Sequence, residues 1–207
     1  EVRKVLGRSL AKMTKENKGH PKNLYTTLLF VYYHTSSKKV YIGHVGDGMI
    51  IGVKKTGFDI LSNPENGDIA NATVFTLQVL KDTTYLRLSI QDASEYIGFI
   101  CVSDGLDFLY LKQRGYQEFY KKYGKAPFHP FLTQIYTEGN ASEVLRLFLK
   151  KFDRTEETQM EYFSDDDSSI VLLQKKDSSI ELQFEEEMEF YQQSQSYKES
   201  LQSTWNV

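Results

Sequence analysis

A single cysteine, Cys101, is present among 207 residues, so no disulfide can form within the chain. It sits in the apolar run 96–102 and reads as a small buried hydrophobe. Basic excess is missing too: 25 Lys and Arg stand against 28 Asp and Glu, a formal net charge of -3. Nucleic-acid and membrane surfaces attract proteins with a positive surplus, so the balance gives neither partner an electrostatic argument. No apolar run approaches the ~20 residues of a membrane span. Glu1-Val2-Arg3-Lys4 lacks the shape of a secretory signal, so the expected location is the cytoplasm, and the sequons at Asn71 and Asn140 read as chance. There is no glycine-rich phosphate loop before a helix and no zinc-type Cys/His cluster. His20, His34, His44 and His129 form no ligand-like pair, and each reads as a surface or core histidine.

What is present is a folding composition. Hydrophobic residues make up 40% and aromatics 14%, enough for one domain with a proper core and too much for disorder. Apolar residues at three- and four-residue steps (Val2, Val5, Leu6, Leu10, Met13) predict a helix over residues 1–16. Runs rich in β-branched and aromatic residues predict strands at 24–33, 40–45, 49–54, 58–61, 73–80, 85–90, 96–102 and 168–174. Gly46-Asp47-Gly48, between two of these runs, predicts a tight hairpin. Residues 62–71 read as a polar loop. Helical spacing returns at 106–123, 130–136 and 142–152, with Asn140 and Glu143 spaced as a capping box, and 154–164 reads as a loop. Strands first and helices later argue an α+β fold of two packed antiparallel sheets, a sandwich flanked by α-helices. Residues 1–182 form the expected domain, and 183–207 a polar tail or helix on which Phe184, Met188 and Tyr191 could line one face.

Three acids stand at strand ends. Asp47 is in the turn after 40–45, Asp104 follows the most apolar strand, and Asp166 lies in Asp165-Asp166-Asp167 just before the last strand. Asp is a common turn residue because its side chain bonds the local backbone, so each position alone reads first as a turn. Gathered at one rim, however, such carboxylates suit a hard divalent cation that takes oxygen ligands.

The context of the three acids resembles a known family. Tyr41-Ile42-Gly43-His44-Val45-Gly46-Asp47-Gly48 is similar to the strand-turn motif xxNVGDSR of the metal-dependent serine/threonine protein phosphatases, the protein phosphatase 2C family. Phe99-Ile100-Cys101-Val102-Ser103-Asp104-Gly105-Leu106 resembles that family's strand ending in Ser/Thr-Asp-Gly. Asp166-Asp167-Ser168-Ser169-Ile170-Val171-Leu172 resembles its closing Asp-Asn/Asp-x-Thr/Ser motif, and Tyr25-Thr26-Thr27-Leu28-Leu29-Phe30 its Thr-Thr strand. The loop Asn63-Pro64-Glu65-Asn66-Gly67 is similar to one in some bacterial members.

The resemblance implies hydrolysis of phosphoserine or phosphothreonine in proteins, with Mn²⁺ or Mg²⁺ in a two-metal centre. It implies a phosphoprotein substrate and a partner Ser/Thr kinase. Asp104 and Asp166 match aspartates that hold the two metals, and Asp47 one that joins Asp104 in a third, weaker site. The family has further features that this chain does not show. Phe108 stands where many members carry another aspartate, and no aspartate precedes Asp47, where an early acidic residue and a DGxGG-type segment are expected. The helix over 1–16 matches the one after that segment, so the sequence reads as a truncated form with little or no activity alone. The alternative is a non-catalytic module on the same fold, used for binding or regulation.

Overall fold

Residues 28–34 and 39–45 are rich in β-branched and aromatic side chains, and the chain folds there as two antiparallel strands. β1 (Leu28–His34) and β2 (Lys39–Val45) join through a turn in which Lys38 takes φ 51°, the one left-handed non-glycine residue among those described. The computed structural model describes residues 2–16, 25–64, 73–109, 128, 130–138, 142–144, 146, 169–175 and 182–205. β5 (Arg87–Asp92) pairs with β2 on its other side, giving a sheet in the order β1-β2-β5. Its register sets Val31 opposite Ile42 and Ile42 opposite Ser89, while Tyr32, Tyr41 and Ile90 share the other face. Phe30 lies across Gly43, where a Cβ would overlap the ring.

β3 (Met49–Lys54), β4 (Gly57–Ser62), β6 (Gly98–Val102) and β7 (Ile170–Gln174) form a second sheet in the order β4-β3-β6-β7. β6 and β7 run antiparallel, from Gly98 opposite Gln174 to Val102 opposite Ile170. The central strands are apolar on both faces and accordingly buried: Met49, Ile50, Ile51 and Val53 on β3, Phe99, Ile100 and Val102 on β6. Two antiparallel sheets accompanied by helices make the fold α+β, as the order of elements predicts.

By contacts the chain divides into two compact units, Glu1–Ile51 with Ile60–Glu95, and Gly52–Asp59 with Tyr96–Val207. In the first, α1 (Val2–Glu16) buries Leu10 and sets Leu6 on a cluster of Val45, Val74 and Val79, with Leu28, Tyr85 and Leu86. Val5 and Met13 stay exposed, so the buried line is narrower than the apolar stripe in the sequence. In the second unit, α3 (Pro130–Glu138) buries Phe131, Leu132, Ile135 and Tyr136. Its Tyr136 hydroxyl donates to the Ile97 carbonyl at 2.8 Å, in space that Gly98 leaves by having no Cβ. α4 (Glu185–Trp205) is anchored at its start, where Phe184 stacks on Phe58 at 5.1 Å and the Gln183 amide donates to the Lys55 carbonyl at 2.8 Å. Its buried line is Phe184, Glu187, Phe190 and Ser194, one register away from the Met188 and Tyr191 face expected. No described helix is long and apolar enough to cross a membrane.

The structure corrects several local readings. Gly46-Asp47-Gly48 is not a hairpin: β2 pairs with β1 and β5, β3 with β4 and β6, so the turn carries the chain from one sheet to the other. Turn residues dictate a local reversal, not which strands then pair. Residues 73–80, expected as strand, contain the short helix α2 (Thr76–Val79). The Gln78 side chain accepts from the Phe75 amide at 2.6 Å, and the Thr76 amide donates to the Thr26 carbonyl at 2.9 Å, so these groups are paired without a strand. A 3-10 turn, Thr83–Tyr85, precedes β5 and moves that strand two residues later than expected. After β6 the chain makes a 3-10 segment, Asp104–Leu109, with Leu106 outside helical geometry; the rest of the helix expected over 106–123 lies outside the described residues. So do Asn140 and the loop over 154–164, and the helix over 142–152 is described only at 142–144 and 146, all helical.

Candidate functional site

Two of the three acids head turns at strand ends. Asp47 belongs to the first unit and Asp104 to the second; Asp166 lies outside the described residues, three positions before Ser169.

The Asp47 turn depends on Gly46, whose φ of 108° disfavours any side chain. A Cβ there would also run into the Thr27 side chain and approach the Val74 carbonyl. Half-buried Asp47 accepts a hydrogen bond at Oδ2 from the Thr73 hydroxyl. The turn is held from a third direction by Arg87, whose Nη2 donates to the Gly46 carbonyl at 3.2 Å and whose Nη1 donates to the Asn63 carbonyl at 2.5 Å.

Arg87 reaches the turn because the β2–β5 register sets it opposite His44. Its Nη2 lies 2.9 Å from His44 Nδ1, and Ser62 Oγ lies 2.7 Å from the same nitrogen. A guanidinium can only donate, so Nδ1 accepts from it and the ring proton belongs on Nε2. Burial and then the Arg87 charge push the His44 pKa down from 6.5 to about 4, so the ring is neutral at neutral pH. His44 is 0% exposed, the core case of the two readings its sequence allowed.

The Asp104 turn is built differently. Oδ1 of half-buried Asp104 accepts from the Gly105 amide at 3.0 Å, and the Leu106 amide donates to the Ser103 carbonyl at 3.1 Å. Ser103 also fastens the turn to the start of β7. Its amide donates to the Ser169 carbonyl at 3.0 Å, and its Oγ accepts from the Ser169 amide at 2.9 Å. The β6–β7 ladder therefore continues one pair past Val102 and Ile170. Burial pushes the nearby Cys101 thiol up to about 11, which leaves it protonated and a poor nucleophile.

Oxygen donors at half-buried turns fit a hard divalent cation in kind. Among the described residues no three His, Cys, Asp or Glu side chains gather as a metal cluster. The sequence reading passed over Thr73, Arg87 and the Ser103–Ser169 link. Only the structure shows which face of β5 is covered: Leu88 and Ile90 are 56% and 61% exposed, while Arg87, Ser89 and Gln91 on the opposite face are less exposed. Polar residues that share the less exposed face of a strand need partners there, and Gln91 Nε2 finds the Leu61 carbonyl at 3.4 Å.

No curated protein matches the chain. Among solved structures, a bacterial serine phosphatase is 17% identical with a TM-score of 0.46, covering 83% of this chain and 66% of its own. Two arginine-substituted forms of a bacterial serine phosphatase are 14% and 16% identical, with TM-scores of 0.48 and 0.42. They cover 84% and 72% of this chain, and 64% and 53% of their own. The chain thus spans between about half and two-thirds of these structures. A sequence profile of protein phosphatase 2C matches residues 2–150, well over half of the chain, and the chain belongs to the protein phosphatase 2C family.

Proposed function

We propose that the chain is part of a metal-dependent phosphatase acting on phosphoserine or phosphothreonine in proteins, the product of a Ser/Thr kinase. Asp104 and Asp166 are the ligands of a Mn²⁺ or Mg²⁺ pair, and Asp47 is a ligand at a weaker third position. Residues 1–182 form the phosphatase-like part and 183–207 a tail that carries α4. The observation that carries the reading, beside the family match, is the Ser103–Ser169 link. It fixes the Asp104 turn to the chain three residues after Asp166. Three residues extend at most ~11 Å, which keeps Asp166 within reach of the Asp104 turn.

Bound divalent ions supply an activated water and neutralise charge on the phosphoryl oxygens. The chain's own part is to hold its carboxylates in place. The Gly105 amide orients the Asp104 carboxylate through Oδ1, and the Thr73 hydroxyl orients Asp47 through Oδ2. Rigidity matters because misplacing a reacting group by ~1 Å can cost on the order of a hundredfold in rate.

Phosphate release from a phosphothreonine peptide with Mn²⁺ tests the reading, on this chain together with any sequence that precedes Glu1. Mn²⁺-dependent hydrolysis lost in Asp104→Asn supports it. Hydrolysis that ignores Mn²⁺, or none at all, overturns it. The second reading, a non-catalytic module, draws on Phe108 at the position of a family aspartate. That module would bind a phosphopeptide and leave it intact.

A further inference from the structure

We infer that Thr73 is a positioning residue for Asp47, fixing the carboxylate through Oδ2 so that Oδ1 is presented to a divalent cation. The inference rests on the reading of Asp47 as a metal ligand. An ionised carboxylate only accepts hydrogen bonds, and a threonine hydroxyl has one proton to donate. Thr73 Oγ1 donates that proton to Oδ2, and Oδ1 takes no hydrogen bond from any described residue. A ligand that uses one oxygen for a cation turns freely unless the other is held, so the donor to the second oxygen sets the orientation of the first. Threonine suits the task, because its branched β-carbon restricts χ1 and hence the direction of the hydroxyl.

The backbone beneath the carboxylate is held as well. Arg87 joins the Gly46 carbonyl to the Asn63 carbonyl, so Asn63 and Thr73, distant from the turn in sequence, are both tied to residues 46 and 47. Thr73 alone among these supports touches the carboxylate. Its loss should therefore change cation affinity, whereas a loss of packing alone would change stability.

The test measures free Mn²⁺ by electron paramagnetic resonance during titration of this chain together with any sequence that precedes Glu1, with melting temperature alongside. Thr73→Val keeps the side-chain shape and removes the hydroxyl. It is expected to weaken the Asp47-dependent site ~10- to 100-fold, the usual range for losing a partner of a metal ligand. Thr73→Ser should restore most of that affinity, and Asp47→Asn should abolish the site. Wild-type affinity in Thr73→Val, beside a loss in Asp47→Asn, overturns the positioning role and leaves Asp47 a ligand. A lowered melting temperature at unchanged affinity overturns it equally. Unchanged binding in Asp47→Asn, or a wild-type chain that binds no Mn²⁺, removes the reading of Asp47 and the positioning role with it. Should Thr73→Val not fold, Thr73→Ser against Thr73→Ala makes the same comparison.

Discussion

The turns at Asp47 and Asp104 are written almost alike, Gly46-Asp47-Gly48 and Ser103-Asp104-Gly105, yet they are supported by different means. The Asp104 carboxylate is met locally, by the amide of the next residue, and the turn's tie to Ser169, 66 positions away, runs through Ser103. Asp47 accepts from Thr73, 26 positions away, on a backbone that Arg87 holds from 41 positions away. A carboxylate met locally keeps its partner in many surroundings. One met by a distant side chain keeps it only when the fold delivers that side chain.

The sharpest contrast between the turns should be in activity. Asp104→Asn removes the charge of a proposed metal ligand while keeping its shape, and hydrolysis should fall at least ~100-fold, since losing a cation would remove both the activated water and charge stabilisation. Asp47→Asn should cost much less, because Asp47 is assigned to the weaker site. Steady-state phosphopeptide hydrolysis at saturating Mn²⁺, by this chain together with any sequence that precedes Glu1, measures both. Equal losses would erase the distinction drawn between them.

A second contrast is in the backbone. Gly46→Ala puts a Cβ at φ 108°, against Thr27 and the Val74 carbonyl. Left-handed strain of ~1–2 kcal/mol and overpacking of ~1–3 kcal/mol add to a loss of about 3 kcal/mol. Gly105 is not among the positive-φ residues, so Gly105→Ala should cost less. Urea midpoints compare the two, and a larger loss at Gly105 would reverse the assignment of which turn is strained.

Sequence made the local half of this contrast legible. Asp-Gly turns follow from backbone chemistry, and the strands that end at them follow from apolar runs, so Asp47 and Asp104 were found at strand ends. Long-range support left no such trace. Arg87 stands in the expected strand 85–90 as one charge among apolar residues, of which Leu88 and Ile90 face outward. The hairpin expected at 46–48 failed for the same reason, since a turn does not say which sheet receives the next strand. At 73–80 the apolar residues Val74, Phe75, Leu77 and Val79 fitted a strand, but pairing of the Thr76 amide with Thr26 and of the Phe75 amide with Gln78 made a helix.

Proton linkage should also separate the turns. His44 beside the Asp47 turn has its pKa lowered from 6.5 to about 4, by burial first and by Arg87 second. Above pH 6.5 the ring is neutral in both folded and unfolded chains, and nothing is lost. As pH falls through the window from 6.5 to about 4, the unfolded chain takes a proton that the folded one refuses, so stability declines. The full loss is about 3 kcal/mol, complete below pH ~4. Chemical unfolding at pH 7 and pH 4.5 should show a smaller drop for His44→Asn than for the wild type. The same drop in both would place the acid sensitivity elsewhere.

The smallest expected effect concerns the link between Ser103 and Ser169. Ser103→Ala removes the Oγ that accepts from the Ser169 amide at 2.9 Å and leaves the amide-to-carbonyl bond of 3.0 Å in place. One hydrogen bond of the pair is lost, and Ser169 is exposed, so water can replace the missing acceptor. Stability should therefore fall by only about 1 kcal/mol. Activity should fall further than that loss explains, because the proposed function has the link hold the Asp104 turn to the start of the strand that follows Asp166. Ser103→Thr keeps the oxygen and should restore both. A variant that loses stability while hydrolysing phosphopeptide at the wild-type rate would show that the link serves the sheet alone. Asp166 would then be placed by residues other than Ser103.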